Sequence, residues 1–187
     1  MPTPDPVQHW RSDTPGVSKA IHLNNAGAAL PPKSVTDTMI AYLQQEAITG
    51  GYELAADQRK VIEDFYHQVG RLVGVPPKQS AYTTSATDAY NKALSSLPWK
   101  SGDVIITTVN DYSSNQIAFL QLQRQFGVSV IRADEDPKGG VDLAHINTLI
   151  REQQPRLVAV THVPTNSGLI QPVAAIGKIC QEVGCWY

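Results

Sequence analysis

The sequence predicts an α/β fold, a mostly parallel sheet with helices on both faces. Three observations predict it. From about residue 80 onward, short β-branched runs alternate with segments of helical period. Each run ends in a loop of small polar residues, as at 85–88, 110–115 and 162–168. Hydrophobic residues make up 42% and charged residues 17% of the 187 positions, enough apolar side chain for a buried core.

The elements follow in order. The first twenty residues are polar, carry Pro2, Pro4, Pro6 and Pro15, and read as an arm without a core of its own. Pro31 and Pro32 suit the first turn of a helix, where a missing N–H costs nothing. Val35, Met39, Tyr42, Leu43 and Ala47 carry its period to Ile48, and Gly50-Gly51 breaks it. A second helix is expected from Leu54 to Val73, with Val61, Ile62, Phe65, Val69 and Leu72 on one stripe and Gly74 and Pro76 beyond its end.

The alternation then begins. Strands are expected at Ala81–Thr84, Asp103–Val109, Val128–Ala133 and Leu157–Val163. Helices are expected at Thr87–Leu97, Asn115–Phe126, from an Asp142 N-cap to Gln153, and at Val173–Val183 before Gly184. Cys185-Trp186-Tyr187 reads as the opening of another strand, so the C-terminus is expected to be a cut within the sheet.

Composition excludes several functions. The formal net charge is −2, which provides no basic field for nucleic acid. No run approaches about 18 apolar residues, so no membrane span is expected. The N-terminus has no basic region followed by an apolar one, which makes cytoplasmic the default location. Two cysteines, Cys180 and Cys185, build neither a disulfide framework nor a four-cysteine zinc site.

In an open α/β sheet, ligands bind beyond the carboxyl ends of the strands. Ser85-Ala86-Thr87-Asp88 opens a helix there. Its N–H groups and hydroxyls suit a phosphate monoester, although Ser or Thr before a helix is also an ordinary N-cap. Tyr112 can stack on a flat ring or pack over a helix end, and Asp111 can serve as a cap. Asn166 can bond a ligand oxygen or close an Asx-turn, and His162 alone reads as structural. The small residues from Asn24 to Ala29 let another molecule approach the backbone, or simply join the arm to a helix. Neither a Gly-x-Gly-x-x-Gly nor a P-loop occurs, which disfavours a doubly wound nucleotide-binding domain of another family.

Leu23-Asn24-Asn25-Ala26-Gly27, Thr84-Ser85-Ala86-Thr87-Asp88-Ala89-Tyr90-Asn91, Asp111-Tyr112-Ser113-Ser114-Asn115 and Thr161-His162-Val163-Pro164-Thr165-Asn166-Ser167-Gly168 occur in that order. Together they resemble the class V aminotransferase-fold enzymes, which use pyridoxal 5'-phosphate. That group includes cysteine desulfurases, selenocysteine lyases, and kynureninase-like and isopenicillin-N-epimerase-like proteins. The resemblance covers roughly residues 20 to 187.

It implies the large domain of the pyridoxal-phosphate-dependent transferase fold (fold type I), truncated at the C-terminus. Residues 1–30 would be the arm and substrate-side loop, and 31–187 the N-terminal part of the cofactor domain. Ala86 and Thr87 would bind the cofactor phosphate. Tyr112 would stack on the pyridine ring, where many relatives have His. Asn166 would lie near the ring's phenolic oxygen, and Asn25, Ala26 and Gly27 would border the substrate.

The substrate would be a small amino acid, and the reaction a transamination, β-elimination or removal of sulfur or selenium, in a homodimer. The family's Schiff-base Lys and the Asp that pairs with the pyridine nitrogen would follow Tyr187. The chain alone is therefore expected to be inactive, and a non-catalytic fragment or interaction module is the rival expectation. Cys180, on a helix, and Cys185, opening a strand, are not placed as a desulfurase nucleophile and read as core residues.

Overall fold

The structure, a computed structural model, describes residues 5–187 except the side chain of Ala26. Pro2 and Pro4 of the expected arm lie outside the described residues. The chain divides into two compact units, residues 1–82 and 83–187.

In the first unit the arm is helical. Helix α1 (Pro6–Asp13) begins where the Asp5 carboxylate accepts the Val7 N–H and Pro6 fills the first turn. A short 3₁₀ turn (Pro15–Ser18) and the one-turn helix α2 (Asn25–Ala28) follow. Helix α3 (Lys33–Thr49) starts just after the two prolines and stops at Gly50, whose φ is +97°.

The helix expected from Leu54 to Val73 is two. Helix α4 (Gly51–Asp57) ends and α5 (Arg59–Val73) begins at Gln58, where the backbone turns to φ −90°, ψ 6°. Gly74, left-handed at φ +73°, closes α5. Gly70 is needed for close approach, because a Cβ there would sit 2.6 Å from the Val75 carbonyl oxygen.

The second unit holds the sheet. Helix α6 (Ala86–Ser95) leads into β1 (Val104–Thr108). Helix α7 (Ser113–Phe126) leads to β2 (Ser129–Ala133), α8 (Leu143–Gln153) to β3 (Leu157–Ala159), and α9 (Val173–Val183) follows. The strand order is β2-β1-β3, and both pairings are parallel. Ile106 of β1 sits opposite Ile131 and Val158, which fixes the register.

Central β1 is covered on both faces, as its apolar run requires. Ile105 packs with Leu94 of α6 and with Ala118, Phe119 and Leu122 of α7. Its neighbour Ile106 points the other way, to Ile146 and Ile150 of α8 and Ile176 and Cys180 of α9. Helices therefore cover both faces, α6 and α7 on one and α8 and α9 on the other.

Two expected strands differ. Residues 81–84 form no strand, because no ladder partner exists for them among the described residues. The third strand stops at Ala159 rather than Val163, since β1 pairs with it only as far as Thr107–Ala159. Trp186 forms a single parallel bridge to Leu157, beside the segment expected to open a strand. Among the described residues no helix is long and apolar enough to cross a membrane.

Candidate functional site at the carboxyl edge of the sheet

The connections place a crevice between β1 and β3. The chain leaves β1 toward α7 on one face and leaves β3 toward α9 on the other. Adjacent parallel strands whose exits diverge to opposite faces leave an opening at their carboxyl ends. Residues 109–112 and 160–168 form its two walls.

One hydrogen-bonded centre joins the walls. The Thr161 hydroxyl donates to Asp111 Oδ1 at 2.5 Å, across fifty residues of sequence. The same oxygen accepts the Tyr112 N–H at 2.7 Å and the Asn115 side-chain amide at 3.0 Å. Asp111 thus fixes the start of α7 to the exit of β3.

Helix α6 runs against the strands. Beyond its C-terminal end, the Pro98 carbonyl accepts a hydrogen bond from Arg156, the residue before β3, at 3.0 Å. Its N-terminus accordingly lies toward the carboxyl edge. There Ser85 Oγ accepts the Asp88 N–H at 3.1 Å, and the Ser85 carbonyl accepts the Ala89 N–H. The Ala86 and Thr87 N–H groups have no acceptor among the described residues, and both residues are exposed.

Asp88 sits in the same first turn and accepts from the Thr84 hydroxyl at 3.2 Å and from Lys92 at 2.8 Å. The Lys92 hydrogen bond, with help from Thr84, holds its carboxyl below the ordinary carboxylate range.

The remaining expected residues are placed as follows. Tyr112 is the N-cap residue of α7, with its ring more than half exposed. Asn166 is exposed in a turn closed by the Gly168 N–H donating to the Pro164 carbonyl at 2.8 Å. Its side chain bonds no described residue, so no Asx-turn forms.

In the first unit, Asn25 lines an open cavity of about 640 Å³ with Trp10, Arg11 and His22. A Cβ at Gly27 would stand 2.7 Å from the Asn24 side-chain amide, which would have to swing aside. The Ala26 side chain lies outside what is described.

A cavity of about 520 Å³ opens beside β3 in the second unit. Tyr90, Leu94, Leu97 and Val160 line it, with Asp111 and Asn115 at a polar end. Ala86, Thr87, Tyr112 and Asn166 do not line it. Burial, reinforced by the Asp111 carboxylate, pushes the Tyr90 hydroxyl well above the usual phenol range, so it is a neutral donor at the cavity wall. Asp111, Tyr90 and Thr161 were not singled out as ligand-side residues by sequence reasoning. No local sequence signal marks them, because Thr161 is set beside the β1 exit only by the β1–β3 register, two residues past Ala159.

The family model for aminotransferase class-V matches residues 21–187. The chain belongs to the class V aminotransferase family. Among curated members, a probable cysteine desulfurase of Synechocystis is 26% identical over 173 residues, covering 88% of this chain and 40% of that protein. One from Methanothermobacter thermautotrophicus is 28% identical, over 95% of this chain and 44% of its own length. The chain thus spans less than half the length of these relatives.

Among solved structures, the apo cysteine desulfurase of Thermococcus onnurineus matches 99% of this class V chain and 46% of its own, with TM-score 0.84 and 25% identity. A C-DES mutant with glycine covalently linked to its PLP cofactor matches with TM-score 0.81 over 96% of this chain, at 21% identity. The predicted fold, a mostly parallel α/β sheet of this family, is the fold found.

Proposed function

We propose that the second unit is the phosphate- and ring-binding part of a pyridoxal 5'-phosphate enzyme acting on a small amino acid. Cysteine is the substrate favoured by the similarity to desulfurases. The observation that carries the reading is the pair of unsatisfied N–H groups of Ala86 and Thr87 at the sheet's carboxyl edge.

The residues present fit the phosphate and the ring. Ala86 and Thr87 supply backbone donors at the positive end of α6, and the exposed Thr87 hydroxyl adds another. The exposed Tyr112 face suits a flat heteroaromatic ring, and the Asn166 amide is free to donate to a ring or carboxylate oxygen. Asp111 orients Tyr112 through its backbone. Bound there, the cofactor supplies an electron sink for bonds at the substrate's α-carbon. The substrate-side role of Asn25, Ala26 and Gly27 rests on the family resemblance, as does a homodimeric assembly.

The test uses pyridoxine 5'-phosphate, which lacks an aldehyde and so cannot react with surface lysines. Calorimetric titration should show binding that depends on the phosphate and weakens in Thr87→Ala by about 1.5–3 kcal/mol, one charge-assisted hydrogen bond. Equal binding of pyridoxine without phosphate would refute the phosphate assignment, and an unchanged Thr87→Ala would refute the hydroxyl's part in it.

A further inference from the structure

The end of α9 brings the two cysteines together by backbone geometry. Gly184 is left-handed, at φ +81°, and closes the helix. Its N–H donates to the Cys180 carbonyl at 2.8 Å, and the Cys185 N–H donates to the same oxygen at 3.2 Å. The bond from residue 185 back to residue 180 is the six-to-one bond of a Schellman closure, in which the side chains of these two positions characteristically touch. Usually both are apolar. Here both are thiols, and the Cys185 Sγ lies 3.8 Å from the Cys180 carbonyl oxygen.

The two thiols differ in access. Cys180 is 1% exposed, in the core between α8, α9 and the sheet. Cys185 is half-buried and lines a polar cavity of about 270 Å³ at the amino edge of the sheet, with Asp103, Gln154, Pro155 and Arg156. This cavity lies at the opposite end of the strands from the crevice between Asp111 and Thr161. Cys185, although packed against the same core, is therefore the more accessible thiol of the pair.

We propose that Cys185 is a modification site that exchanges with low-molecular-weight disulfides and passes the oxidation to Cys180, forming a reversible Cys180–Cys185 disulfide across the α9 terminus. In the first step the Cys185 thiolate attacks one sulfur of the small disulfide. A mixed disulfide forms, and one small thiolate leaves. In the second, Cys180 loses its proton to solvent, attacks Cys185 Sγ and expels the second small thiolate. Two protein thiols lose two electrons and two protons, and one disulfide becomes two thiols.

Burial pushes the Cys180 thiol up, and that cause persists once Cys185 is a mixed disulfide, which makes ring closure the slow step and faster with rising pH. The bridge would join α9 to the segment that pairs with β3 through Trp186, and so lock the end of the sheet.

The experiment treats the folded 187-residue chain with oxidised glutathione, traps free thiols with iodoacetamide and maps the peptides by mass spectrometry. The expected product is a Cys180–Cys185 disulfide reversed by dithiothreitol. It should be favoured over the urea-denatured chain by about tenfold or more in its equilibrium with glutathione. Cys180→Ser should stop at a mixed disulfide on Cys185, and Cys185→Ser should leave Cys180 unmodified. A stable mixed disulfide on the unaltered chain, no reaction, or an equilibrium equal to that of the denatured chain would overturn the proposal. Because the wild-type comparison stands by itself, a variant that fails to fold does not remove the test.

Discussion

Thr161 donates its hydroxyl to Asp111 and so ties the exit of β3 to the exit of β1. With the Tyr112 N–H and the Asn115 amide on the same carboxylate oxygen, one side chain organises both walls of the crevice. Asp111→Ala removes the acceptor of three donors and is expected to destabilise the second unit by about 1.5–3 kcal/mol, the range for a hydrogen bond to a charged group. Thr161→Val removes one donor and should cost less. The check is urea unfolding of both variants followed by circular dichroism. A larger loss in Thr161→Val than in Asp111→Ala would contradict the central position of the carboxylate.

This relationship also marks where sequence reasoning stops. Periodicity and end signals are local, so the boundaries of α8, from its Asp142 cap, and of α9, up to Gly184, were legible within a residue. The break at Gln58 was not, since neither Gly nor Pro marks it. Residues 81–84 have strand composition, but a strand exists only where another pairs with it. Asp111 read as a cap, and a local reading has no access to a partner fifty residues away. The Ser85 cap was legible. That it leaves the Ala86 and Thr87 N–H groups free required the hydrogen-bond pattern around Asp88.

Gln171 is a second non-local tie. It is 3% exposed, accepts the Val141 N–H at 2.8 Å, and donates to the Leu169 carbonyl at 3.1 Å. Gln171→Ala would strand a buried backbone donor, a loss of about 1–3 kcal/mol. Hydrogen exchange at Val141 should accelerate in the variant. Protection equal to wild type would show that the bond contributes nothing.

Two glycines at the end of α5 separate space from backbone strain. Gly70→Ala would drive a methyl to 2.6 Å from the Val75 oxygen and 3.3 Å from the Pro77 nitrogen, both rigid backbone atoms. Gly74→Ala meets nothing within 4 Å and pays only for its φ of +73°, about 1–2 kcal/mol. Thermal unfolding should therefore rank Gly70→Ala as the more damaging. The reverse order would mean that the α5 terminus relaxes freely.

Asp88 predicts an acid-sensitive helix start. Its carboxyl is held below the ordinary value by Lys92 first and Thr84 next, so the folded state binds this proton less readily than the unfolded one. The stabilisation is present above the ordinary carboxyl value of 3.8 and is lost as the pH falls through the lower folded value. Asp88→Asn should then be less stable than wild type at neutral pH, with the gap closing below about pH 3.8. Urea midpoints for both proteins at the two ends of that range give the answer. A gap that persists in acid would assign the effect to capping geometry rather than charge.

The placement of the lysines bears on covalent cofactor chemistry. Lys92 bonds Asp88 and Lys33 bonds Asp37, each one turn along its own helix. Lys178 lies midway along α9. Lys138, in the turn beyond β2, is the lysine nearest in topology to a strand's carboxyl end, yet β2 lies across β1 from the β1–β3 crevice. Among the lysines of the second unit, none lies in residues 109–112 or 160–168, the walls that Asp111 and Thr161 join. Treating the chain with pyridoxal 5'-phosphate and borohydride should therefore give scattered, substoichiometric labelling of surface lysines that free phosphate does not suppress. Stoichiometric reduction at one lysine, protected by pyridoxine 5'-phosphate, would place a Schiff-base residue within these 187 positions and reverse the expectation that the chain is inactive alone.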